Sequence, residues 1–149
     1  MITGKLHNLL NVFRGGEISP DDKAVLFEEV FVTVTGRAVS ADTNINPAEV
    51  ETVQRIYKDV FSEDIQASTI RSAANSELFE TTPLENYVKA AGKKLTGADK
   101  YVICDAISQV VNADGRVGKW EIDFFNQMAT AMKMTPAEIA GLVNKSGPL

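Results

Sequence analysis

The sequence predicts an all-α fold, a helical bundle of six to eight helices, on three observations. Four of the five prolines share one local context: Ser19-Pro20-Asp21-Asp22, Asn46-Pro47-Ala48-Glu49, Thr82-Pro83-Leu84-Glu85 and Thr135-Pro136-Ala137-Glu138. In each, a Ser, Thr or Asn caps free backbone N–H groups, proline takes the first helical position, and the carboxylate of the last residue reaches back toward the cap. Apolar residues then recur at intervals of three and four, as in Val50, Val53, Ile56, Tyr57 and Val60, or Ile122, Phe125, Met128, Ala129 and Met132. Finally, the one strand-like run, Val30 to Thr35, has no second run to pair with.

Taken in order, Leu6, Leu9, Leu10 and Phe13 make a short amphipathic helix over residues 3–13. Lys5, His7, Asn8 and Asn11 interrupt it, so it lacks the continuous apolar core of a signal peptide. The next helix, 20–39, contains the β-branched run, whose wider spacing (Ala24, Phe27, Phe31, Val34, Ala38) is helical. Helices follow over 47–61, 63–75, 83–94, 97–112, 119–132 and 136–143, with weaker start signals for 97–112 at Thr96-Gly97-Ala98-Asp99 and for 119–132 at Gly118-Lys119-Trp120-Glu121. Cys104 lies in the apolar run from Tyr101 to Ile107 and is expected to be an inert core residue. Trp120, at the head of its helix, is expected to be a partly buried staple rather than a partner contact.

The chain of 149 residues is one domain's worth, with 44% hydrophobic and 23% charged residues, which suits a folded protein. A net charge of −5 excludes a nucleic-acid binder, which needs clustered Lys and Arg. No stretch approaches the ~18 apolar residues of a membrane span, and a cytoplasmic location is expected. One cysteine excludes an internal disulfide, and a lone His7 leaves Ser-His-Asp, Cys-His and His-based zinc catalysis without parts. Gly15-Gly16 is followed by Glu17 and forms no phosphate loop. A non-enzymatic protein is therefore expected, with a protein partner.

An internal repeat organises the chain. Asp42 and Asp114 are 72 residues apart, as are Glu49 and Glu121. The same shift places Val50 on Ile122, Val53 on Phe125 and Ile56 on Met128, apolar on apolar. Two helical hairpins, near 24–61 and 96–133, are thus expected to superimpose about an approximate two-fold axis. The turn from Val110 to Glu121 overlaps the calcium-loop pattern of EF-hands through Asn112, Asp114, Gly115, Val117 and Glu121, but Val110 stands where the first anchoring Asp belongs. In the first turn Thr43 replaces the glycine. Neither turn is a self-sufficient EF-hand.

The segment Asn112-Ala113-Asp114-Gly115-Arg116-Val117-Gly118, the helix opening with Glu121, and Met134-Thr135-Pro136-Ala137-Glu138-Ile139 resemble the tellurite-resistance TerB-like family, with Ser40 to Glu49 as a degenerate copy. The resemblance covers roughly residues 24–143. It implies an all-helical fold with internal two-fold symmetry, no known catalytic activity, a divalent-metal site at the two acidic turns, and a role in stress or tellurite resistance. Mapped by motif, that site draws on Asp42, Glu49, Asp114 and Glu121. Oxygen-only ligands favour calcium, with magnesium or manganese next, over zinc or copper. A second reading needs no metal: Glu49 and Glu121 cap helices, Asp42 and Asp114 form turns, and the protein is purely an interaction scaffold.

Overall fold

In a computed structural model the structure describes residues 20–39, 47–74, 83–113, 115 and 118–138. Six helices run through them: α1 (Pro20–Val39), α2 (Pro47–Phe61), α3 (Ala67–Ala74), α4 (Leu84–Gly92), α5 (Gly97–Val111) and α6 (Lys119–Ala131). There is no strand among the described residues, and none of these helices is long and apolar enough to cross a membrane. The helix expected over 3–13 lies outside the described residues. Of the one expected over 136–143, residues 136–138 are described and helical.

α1 is the centre of the bundle. It packs chiefly on α3 and α5 and also touches α2, α4 and α6. Leu26, Val30, Phe31, Val32, Val34, Ala38 and Val39 are all buried along it, so its apolar surface runs right round the helix rather than down one stripe. This is why Val30 to Thr35 mimics a strand in sequence yet is helical: the run is wrapped on every side by other helices, and burial outweighs the modest β preference of its residues. The hydroxyl of Thr35, with no exposed surface, donates to the carbonyl of Phe31 one turn back at 2.7 Å, which removes the penalty of burying it.

Aromatic side chains join α1 to α2. The ring of Phe31 lies edge-on to Phe61 at 5.3 Å and near Tyr57 at 6.3 Å, while Tyr57 and Phe61 are 4.7 Å apart. Phe27 extends the group, 5.3 Å from Phe61. Tilted and edge-on contacts of this kind add to the area they bury. Phe61 takes the core side of the last turn of α2, which leaves Val60, expected on the buried stripe, 37% exposed.

Helix ends depart from expectation where turn chemistry intervenes. The helix expected from residue 63 begins at Ala67. Ser62 closes α2 in the left-handed region at φ 59°, its N–H donating to Lys58 O at 2.9 Å. Lys58 then pairs with Asp64 at 3.2 Å, and the Gln54 amide holds the Ile65 carbonyl at 3.0 Å, so the chain stays non-helical up to Gln66. Pro83 precedes α4 as its cap instead of opening it; its carbonyl accepts from the N–H groups of Asn86 (3.0 Å) and Tyr87 (3.2 Å). Two reciprocal capping boxes form as the sequence indicates, between Thr96 and Asp99 and between Thr135 and Glu138.

The repeat reaches the element boundaries. α1 ends at Val39 and α5 at Val111, while α2 begins at Pro47 and α6 at Lys119, both offsets being 72 residues. Equivalent positions are buried in both pairs: Ala38 and Val110, Glu49 and Glu121, Val53 and Phe125, Ile56 and Met128. Cys104 on α5 has no exposed surface; burial, with a smaller contribution from the charge of Glu138, pushes its thiol up to about 12. It is the inert core residue the sequence suggests.

α6 ends in a Schellman turn: Lys133, at φ 60°, donates to Thr130 O (2.9 Å), and Met134 donates to Ala129 O (3.0 Å). An L-residue there carries a steric cost that glycine lacks. Lys133→Gly should therefore raise stability by about 0.5–1 kcal/mol, read as a higher denaturant midpoint at unchanged slope.

Candidate functional site

The two site residues that the structure describes, Glu49 and Glu121, sit in the first turns of α2 and α6. After α5, Asn112 occupies the C-cap and both its backbone N–H (3.2 Å) and its side-chain amide (2.8 Å) donate to Ser108 O. Ala113 N–H reaches Val110 O at 3.1 Å, and Gly115 N–H reaches Asn112 O at 3.1 Å. Gly115 adopts φ 76°, the left-handed conformation that the Asp-Gly pair signals in sequence and that a side chain would oppose. Asn112, Ala113 and Gly115 are thus tied back toward the end of α5.

At that re-entry Gly118 is the N-cap, and its N–H donates to Glu121 Oε1 at 3.3 Å. Glycine has no side-chain acceptor, so this is half of a capping box, unlike the reciprocal pairs at Thr96 and Thr135. Glu121 is only 6% exposed. In the other hairpin Glu49 occupies the equivalent first turn of α2 and is 2% exposed. The contrast with the other capping carboxylates is physical: Glu138 caps from an exposed position, where bonds from the backbone and hydroxyl of Thr135 hold its carboxyl below the usual range, and Asp99 is half-buried. Capping alone does not require a carboxylate to leave water.

Asp42 and Asp114 lie outside the described residues. Of the four expected ligands the structure therefore places two, Glu49 and Glu121, each buried at the head of the second helix of its pair. Among the described residues no group of three or more His, Cys, Asp or Glu side chains converges as a metal site. The donors that could hold a cation here are carboxylate oxygens, which suit a hard ion.

Trp120 differs from expectation. It is 72% exposed, not a partly buried staple. With the cap at Gly118, staple positions fall one residue before the cap and four after it, at Val117 and Ile122, so Trp120 is never at one. The core stripe of α6 is Glu121, Phe125, Met128 and Ala129, and Trp120 stands off it on the side of the exposed Asp123 and Gln127.

A buried polar group escaped the sequence reading. Glu29 (4% exposed) and Thr33 (6%) lie one turn apart on α1, and Tyr87 of α4 is fully buried with them. Burial pushes the Tyr87 hydroxyl well above its ordinary range, the charge of Glu29 adds to this, and a hydrogen bond from Thr33 opposes it. The available signal was the spacing of four between Glu29 and Thr33 on an otherwise apolar helix.

The family profile described as tellurite resistance protein TerB matches residues 28–143. The chain belongs to the TerB family. No curated protein and no solved structure matches it. The TerB match begins inside α1 and runs past α6, so it takes in both acidic loops and both buried glutamates.

The half-formed box of this TerB protein invites completion. Gly118 has ordinary extended cap dihedrals (φ −86°, ψ 169°), and a Cβ there would meet Glu121 Oε1 at 3.4 Å, a normal contact. Gly118→Ser adds the missing acceptor for the helix N–H groups and should stabilise the protein by about 0.5 kcal/mol, measured by thermal or denaturant unfolding without divalent ions.

Proposed function

We propose that this TerB-family protein is a non-enzymatic cytoplasmic module of a tellurite-resistance or stress-response system, binding a divalent cation at its two acidic inter-helix loops. Asp42, Glu49, Asp114 and Glu121 supply the carboxylates, and the two hairpins carry them as halves related by an approximate two-fold axis. Calcium is the first choice, with magnesium or manganese as alternatives, because the donors are all oxygen. The observation that carries this reading is the burial of Glu49 and Glu121, 2% and 6% exposed, at equivalent positions where the protein's other capping acids remain in contact with water. A buried carboxylate is costly unless donors or a cation compensate its charge.

A second reading has its own observation in favour. The bond from Gly118 N–H to Glu121 Oε1 gives that glutamate a capping role without metal, and Trp120, exposed beside it, suits a protein contact. In that case the protein is an interaction scaffold and the acids are caps and turns.

Calcium titration of the full chain separates the two, followed by Trp120 emission, backbone amide shifts and melting temperature. If the loops bind calcium, the added stability reaches about 2.7 kcal/mol at a hundredfold excess over Kd. Asp114→Asn and Glu121→Gln should each weaken binding by roughly tenfold, about 1.4 kcal/mol, while leaving stability without metal nearly unchanged, since Asn still turns and Gln still caps. Melting temperatures that are equal for wild type and both variants, with and without calcium, establish the scaffold reading instead.

A further inference from the structure

Where α4 ends against α6 and the chain turns into α5, lysines gather in one place. A Cβ on Gly92 would meet the backbone of Met132 at 3.6 Å, so the last turn of α4 lies on the end of α6. Lys93 and Lys133 each follow directly on one side of that contact. Lys94 N–H donates to Ala91 O at 2.9 Å and Leu95 N–H to Gly92 O at 3.3 Å, and one turn into α5 Lys100 N–H donates to the Thr96 carbonyl at 3.1 Å. Lys100 also helps to lower the carboxyl of Glu138, which places the first turn of α5 near the chain that leaves Lys133. Leu95 and Met134, next to Lys94 and Lys133, are buried and anchor this end, while Lys93 and Lys133 are exposed and Lys94 and Lys100 half-buried.

Among the described residues, Lys58, Lys89 and Lys119 each close an ion pair, whereas Lys93, Lys94 and Lys133 close none. Lys133 also stands at φ 60°, where glycine is less strained, so a cation is held at a position that the fold's own stability disfavours. A side chain kept in strain with no internal contact to compensate points to a role outside the fold. The acids at this end bear on what fits it. With Asp99 and Glu138 the four lysines leave a charge of +2, in a chain of −5 overall. A continuous polyanion, such as a lipid surface or nucleic acid, would bring phosphates onto Asp99 and Glu138 as well as onto the lysines. Carboxylates spaced along a peptide can stand opposite the lysines alone. Lysine is a compact point charge that suits single carboxylates, and residues 83–100 and 131–138 carry no arginine fork for phosphate.

We infer that this lysine end of the bundle docks an acidic segment of a partner protein, rich in Glu or Asp, with Lys93, Lys94, Lys100 and Lys133 opposite its carboxylates. The docking needs no divalent ion and rests on neither reading of the acidic loops. Its contacts join exposed charges, so the complex is transient and added salt weakens it.

Titration of the full chain with a polyglutamate peptide, without divalent ions and followed by backbone amide shifts, tests this. The shifts should concentrate at residues 92–100 and 132–135, and the affinity should fall severalfold as salt is added. Lys93→Glu/Lys94→Glu should weaken binding about tenfold. Lys133 gives the sharper readout, because its two effects oppose: Lys133→Gly should raise the denaturant midpoint while weakening binding about threefold, and Lys133→Arg should retain binding. A lysine with a merely structural role would leave the affinity unmoved. The inference is overturned if polyglutamate gives no localised shifts, if Lys133→Gly and Lys93→Glu/Lys94→Glu bind it as the wild type does, or if the shifts appear with phosphatidylserine vesicles and not with the peptide. Shifts at these residues that grow with protein concentration alone overturn it too, since a second copy is then the occupant.

Discussion

The burial of α1 on nearly every side from Glu29 onward is the constraint on which the rest of this structure depends. A helix whose backbone groups are satisfied internally can be surrounded by apolar neighbours at little polar cost, provided the few polar side chains it carries also find partners. Thr35 does so through the Phe31 carbonyl, and Glu29 and Thr33 are gathered with Tyr87 from α4. Every other described helix contacts α1, so their positions are set by its surface before they are set by one another. It also fixes the helix ends that lead toward the acidic sequence motifs: α1 itself ends at Val39, and α5, one of its main neighbours, ends at Val111.

α2, α5 and α6 were legible in sequence because each has an apolar face and a chemical start signal, which α3 lacks. α2 and α6 begin at the residues their caps indicate, and the boxes at Thr96 and Thr135 form as the residue types require. α1 was harder, since a helix buried on most sides blurs the period by which helices are recognised, and the wider spacing of Ala24, Phe27, Phe31, Val34 and Ala38 together with the absence of a strand partner decided it. What could not be read came from tertiary choices and local turns. Ser62 enters the left-handed region with no glycine to announce it, and Val60 yields the core to Phe61 because aromatic packing favours the larger ring. Trp120 was misplaced because its register relative to the cap, not its hydrophobicity, decides whether it can close over the helix start.

For the candidate site, sequence supplied the positions and the structure supplied their environments. The spacing of 72 residues equates Glu49 with Glu121 but says nothing of solvent. Their shared burial distinguishes them from Asp99 and Glu138, which cap helices while keeping contact with water. The TerB match, over residues 28–143, takes in both loops together.

The position of α1 in the chain bears on how the protein is made. Its last residue, Val39, precedes the last residue of α5 by 72 positions, so the helix that completes its burial is synthesised well after it. At translation rates of about 5–20 residues per second, that delay is roughly 4–14 seconds. Until α5 arrives, the emerging chain holds a helix with apolar surface on every side and only α2, α3 and, late in the interval, α4 to cover it. The nascent protein is therefore most exposed to aggregation, and most in need of a chaperone, in the interval between the release of α1 and the arrival of α5.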